Sequence, residues 1–67
     1  MDNWQKIFST RNPAEASIIQ GMLEENQIPV QLLNKQDSIY LFGDLQIYVP
    51  IQYLETAKQL LNNTLLS

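Results

Sequence analysis

Leu45-Gln46-Ile47-Tyr48-Val49-Pro50 places an apolar residue at every second position and then stops at a proline. Successive side chains of a strand point to opposite faces. The run therefore predicts a strand over Leu45–Val49, with Leu45, Ile47 and Val49 on a buried face and Gln46 and Tyr48 on the other. A strand with one buried face belongs in an antiparallel arrangement covered on one side only. Pro50 cannot donate to a ladder. It ends the strand and is suited to open a last helix. In that helix Leu54, Ala57 and Leu61 make an apolar stripe, with Tyr53, Leu60 and Leu65 beside it. Glu55, Lys58, Gln59, Asn62 and Asn63 take the solvent side. Thr64-Leu65-Leu66-Ser67 carries no cap, which predicts fraying there or docking of Leu65 and Leu66.

Working back from Leu45, Gly43-Asp44 is a turn signal. Ile39-Tyr40-Leu41-Phe42 is short and apolar, either an extended cover over the core or the first part of the third strand. Gln36-Asp37-Ser38 reads as a turn, because short polar side chains bond their own backbone there. Ile28–Lys35 is the second strand, with Pro29 marking its start or a sheet edge. Before it, Asn12-Pro13-Ala14-Glu15 is a helix start: Asn12 caps, Pro13 takes the first helical position, and Glu15 falls at the capping-box position. The helix runs from Pro13 to about Asn26. Ala16, Ile19 and Leu23 form its stripe, Ile18 and Met22 widen it, and Ser17, Gln20 and Glu24 lie opposite. Gly21 costs about 1 kcal/mol relative to alanine. Close approach of the helix backbone to the sheet or to another chain explains it, and so does plain tolerance. Asn26 is suited to the left-handed closing conformation, and Pro29 prevents continuation. Trp4–Ser9 is the first strand, and Thr10 and Arg11 lead out of it.

The order strand, helix, strand, strand, helix restricts the topology. Two parallel strands joined by a right-handed helical crossover leave a gap that the third strand fills antiparallel, giving the order 1-3-2. The fold class is α+β: a truncated ferredoxin-like βαββα plait, with a three-stranded sheet and both helices on one face. No helix remains for the other face, where Gln46 and Tyr48 point. With Ile7 toward the helices, Trp4, Lys6 and Phe8 join them there. Such a patch marks association, unless Trp4 and Phe8 fold over their own sheet edge.

At 67 residues the chain is one domain, 1–67. A domain of that size buries only about 60% of its unfolded surface, so a partner chain covering part of it is a natural remedy. With no cysteine there is no disulfide and no thiolate metal site. No apolar run nears the roughly 20 residues that span a bilayer. Met1-Asp2-Asn3-Trp4 has no signal-peptide pattern, so a cytoplasmic location without membrane attachment is expected. Seven acids against four scattered bases give a net charge of −3, which opposes nucleic-acid binding.

The chemically richest stretch is Leu33–Asp44. Asn34, Lys35, Asp37, Ser38 and Tyr40, with Phe42 and Gly43, form a candidate polar site for a small anionic ligand or a protein partner. The structural alternative is that Asn34, Asp37 and Ser38 hold a turn through side-chain to backbone bonds. Without histidine or cysteine the commonest bases, nucleophiles and soft metal ligands are missing. Ser38 with Lys35 is a conceivable pair, but on a turn with no oxyanion hole. Asp37 and Asp44 lack a calcium-loop spacing, and Glu24 and Glu25 read as a solvated helix end. No enzymatic activity, cofactor or metal is expected.

Several segments carry a family likeness. They are Lys6-Ile7-Phe8-Ser9-Thr10, Pro13-Ala14-Glu15-Ala16, Met22 through Pro29, and Leu33 through Ser38, followed by Tyr40, Phe42-Gly43 and Ile47-Tyr48-Val49-Pro50. In order and spacing, from about Trp4 to Leu61, they resemble the family labelled putative prokaryotic signal-transducing protein. The resemblance implies a ferredoxin-like fold distantly related to the PII proteins, and binding and signalling rather than catalysis. It implies no ligand, and nucleotide binding does not carry over. Gln27 stands where the family pattern has glycine, which bears on how the helix closes. Two roles follow as expectations. One is a non-catalytic regulatory module binding through Asn34–Gly43. The other is an interaction module that oligomerises through the open sheet face at Trp4, Lys6, Phe8, Gln46 and Tyr48.

Overall fold

The computed structural model describes residues 3–36 and 43–66. It contains β1 (Trp4–Thr10), α1 (Pro13–Glu25), β2 (Gln31–Gln36), β3 (Gly43–Pro50), a 3₁₀ turn (Ile51–Tyr53) and α2 (Leu54–Leu66). The three strands form one sheet in the order β1-β3-β2, and β3 is antiparallel to both neighbours. Both helices pack on β1 and β3. This is the truncated ferredoxin-like plait that the element order predicts.

The core lies between sheet and helices. Ile47 and Val49 of β3 meet Ala16, Ile19 and Leu23 of α1, Ala57 and Leu61 of α2, and Ile28. Ile7, Phe8, Met22, Val30, Leu45, Tyr53, Leu54 and Leu60 pack around this cluster. Ile18 does not widen the α1 stripe into the core: it is 65% exposed. One residue before Ile19, it is rotated roughly 100° away from the sheet.

The entry to α1 is capped as its sequence predicts, with one change. Asn12 Oδ1 accepts from the Ala14 N–H at 3.0 Å. Glu15 does not close the capping box on the Asn12 N–H directly. That N–H donates to Thr10 Oγ1 at 3.0 Å, and the Thr10 hydroxyl donates to Glu15 Oε1 at 2.6 Å. A hydroxyl both accepts and donates, so Thr10 relays the contact and ties the end of β1 to the first turn of α1.

The exit from α1 corrects the expectation for Asn26. Its φ is −93°, outside the left-handed region, and the positive φ falls one residue later, at Gln27 (62°). Gln27 N–H donates to Glu24 O and Ile28 N–H to Leu23 O, both at 3.0 Å. These are the two bonds of a Schellman closure, and the buried pair Ile28 and Leu23 supplies its apolar contact. Ile28 is therefore used to close the helix, and β2 begins three residues later than the apolar run suggested.

Three further boundaries move. Gly43 and Asp44 are not a turn but the start of β3, paired with Gln36 and Lys35. Pro50 ends β3 in extended conformation, and the 3₁₀ turn precedes α2. The Ile51 N–H donates to Asn3 O at 2.8 Å, anchoring this turn beside the start of β1. The expected turn at Asp37-Ser38 and the apolar run Ile39–Phe42 lie outside the described residues.

Candidate functional site

The face of the sheet away from the helices is set by register. Residues directly opposite in antiparallel strands share a face. Tyr48 pairs with Lys6 and Gln31, Gln46 with Ser9 and Leu33, Asp44 with Lys35, and Pro50 with Trp4. Trp4, Lys6, Gln46 and Tyr48 thus come together on this face, as their sequence positions suggest.

Phe8 does not join them, and the reason is a β-bulge. The β1–β3 register passes from Lys6 opposite Tyr48 to Phe8 opposite Ile47, with Ile7 as the extra residue. An inserted residue breaks the two-residue period, so Lys6 and Phe8, two apart in sequence, lie on opposite faces. Phe8 shares the face of Ile47 and packs, with Ile7, against the core.

Along β3 the open face carries a continuous polar chain. The Tyr48 hydroxyl donates to Gln46 Oε1 at 3.1 Å, and Gln46 Nε2 donates to Asp44 Oδ2 at 3.2 Å. A carboxylate only accepts, so Asp44 turns the Gln46 amide nitrogen toward itself and leaves the carbonyl for the tyrosine. The chain therefore runs one way, from phenol to carboxylate. Gln46 is 8% exposed although no helix lies over it. Its central position between Ser9 and Leu33, with Tyr48 and Asp44 before and behind, accounts for that. Lys6 is exposed, and Trp4, Leu33, Asp44 and Tyr48 are half-buried. No buried side-chain nitrogen or oxygen among the described residues lacks a hydrogen-bond partner.

Of the polar stretch Asn34–Gly43, only the two roots are described. Asn34 and Lys35 end β2, and Gly43 begins β3. Asn34 is exposed opposite Leu45, on the helix side, whereas Lys35 takes the register position beside Asp44. The expected site residues Asp37, Ser38, Tyr40 and Phe42 lie outside the described residues. Asp44 and Leu33 were not among the expected site residues. Asp44 continues the alternation of Gln46 and Tyr48 backwards by two, a signal that the Gly43-Asp44 turn reading obscured.

Among the described residues no group of three acidic or other metal-ligating side chains is assembled, and no helix is long and apolar enough to cross a membrane. A family model described as putative prokaryotic signal transducing protein matches residues 4–64. The chain belongs to that family. The match runs from the first residue of β1 into the last turns of α2, so the family unit is this whole βαββα layer pair. No curated protein and no solved structure matches the chain.

Proposed function

We propose that this family member is a non-catalytic regulatory module that works by binding, and that it binds through the open face of its sheet. The observation that supports this reading is the Tyr48–Gln46–Asp44 chain. A buried, hydrogen-bonded polar network specifies a unique arrangement of the groups around it. Here it fixes an aromatic hydroxyl and a carboxylate on a face that no helix covers. Trp4, Leu33 and Tyr48 supply apolar and amphipathic area around it, the composition that favours a protein partner. Lys35, at the root of the polar stretch Asn34–Gly43, pairs in register with Asp44. The family description, a signal transducing protein, supports the regulatory part of this reading.

The test is native mass spectrometry on protein purified gently from cells, comparing the parent with Tyr48→Glu and with Lys58→Glu. Lys58 is exposed on α2, on the helix side. The expected result is an associated species, ligand or protein, in the parent and in Lys58→Glu, lost in Tyr48→Glu. A bare monomer in all three, or association untouched by Tyr48→Glu, overturns the reading.

A further inference from the structure

Resting on that reading, we infer that the open face is completed by a second copy of this chain, related by a two-fold axis that passes over Gln46 and lies across the strands. The argument is charge complementarity. On β3, Asp44 lies two residues before Gln46 and Tyr48 two residues after it. Lys6 sits beside Tyr48 on the neighbouring strand. Two sheets packed face to face are about 10 Å apart, and neighbouring strands about 4.8 Å. A two-fold axis across the strands reverses the strand direction in the second copy while keeping β1 over β1. Tyr48 then stands over the partner's Asp44, and Lys6 lies one strand to the side of it. A lysine stem is long enough to carry its ammonium across that gap. The symmetry repeats the contact, so each copy gives one lysine and receives one. The other face-to-face two-fold axis, along the strands, exchanges the positions of β1 and β2 and sets Lys6 opposite the partner's Gln31, so it makes no contact between Lys6 and Asp44. The reciprocal contact between Lys6 and Asp44 thus belongs to the axis across the strands.

The same geometry sets the strength. Three strands span about 14 Å with their flanks, and seven residues about 23 Å, so the footprint belongs to the small, weak class of interfaces. The dimer is expected to be weak and in rapid exchange.

The experiment is sedimentation velocity over a concentration series reaching several hundred micromolar, on the parent, Lys6→Glu, Asp44→Lys and the double exchange. Circular dichroism confirms that each variant is folded. Each single exchange sets like charges together at both symmetric contacts and is expected to raise the dissociation constant about tenfold or more, with the double exchange recovering most of the loss. Because Asp44→Lys also breaks the bond to Gln46, Lys6→Glu carries the test if Asp44→Lys fails to fold. A dimer indifferent to Lys6→Glu overturns the inference. A parent that is monomeric throughout overturns it too, and a ligand or different protein retained by Tyr48-dependent contact would then leave the binding-face reading standing.

Discussion

Tyr48 and Gln46 are bonded to each other two residues apart on one strand, the phenol donating to the amide carbonyl at 3.1 Å. Because the amide nitrogen is committed to Asp44, neither bond is independent of the other. Tyr48→Phe removes one donor and leaves Gln46 anchored at its other end, so it is expected to cost about 0.5–1.5 kcal/mol. Gln46→Ala removes both bonds and should cost about 1–2 kcal/mol. The double variant should cost clearly less than the sum, since each change removes the shared bond. Urea denaturation in dilute protein reads all three, and strict additivity would show that the chain does not act as a unit.

The closure of α1 carries a second prediction. Gln27 holds a φ of 62°, a conformation that costs an L-residue about 1–2 kcal/mol and glycine almost nothing. Gln27→Gly should therefore raise stability by about 1 kcal/mol, less what the freer unfolded chain takes back. Gln27→Val should lower it, because a β-branched residue is least compatible with that φ. Thermal unfolding of the two variants against the parent checks the sign of each.

These two sites show where sequence reading succeeded and where it stopped. Periodicity exposed the strand Leu45–Val49 and the stripes Ala16-Ile19-Leu23 and Leu54-Ala57-Leu61, because burial imposes a period that survives in the residue types. Topology then followed from the order of the elements and the right-handed crossover. What was not legible depends on single backbone conformations. The left-handed residue moved from Asn26 to Gln27 because the Schellman bonds count from Leu23, not from the residue with the greatest tolerance for positive φ. The Ile7 bulge has no signature in Lys6-Ile7-Phe8, three residues that alternate acceptably on paper. Asp44 was lost to the site because Gly-Asp is more often a turn than the first pair of a strand.

Gly21 gives a third prediction. A Cβ built on it meets nothing within 4 Å, so close approach to the sheet does not explain the glycine. Its φ is negative, like that of any helical residue. Gly21→Ala is therefore expected to stabilise the fold by about 0.4–1 kcal/mol through the unfolded chain and helix propensity. The midpoint of urea unfolding should rise with no change in slope. A loss of stability would mean that something beyond this chain's described residues occupies the space above α1.

Phe8 provides the last. Its position opposite Ile47 follows from the bulge, and its ring packs on the core rather than on the open face. The two placements have opposite consequences. As a half-buried core residue it should lose about 2 kcal/mol on Phe8→Ala, somewhat below the range for a fully buried ring, while Phe8→Leu retains most of the stability. Association through the open face should be the same in Phe8→Leu as in the parent, because Lys6, Gln46 and Tyr48 remain in register. Deleting Ile7 tests the cause directly. Without the extra residue, Lys6 and Phe8 become consecutive positions of a regular strand and keep their faces, so the shortened chain should fold in the same register, destabilised only by the missing isoleucine. If removing Ile7 instead scrambles the β1–β3 pairing seen in backbone amide nuclear Overhauser contacts, the bulge is holding the register and is not a tolerated insertion.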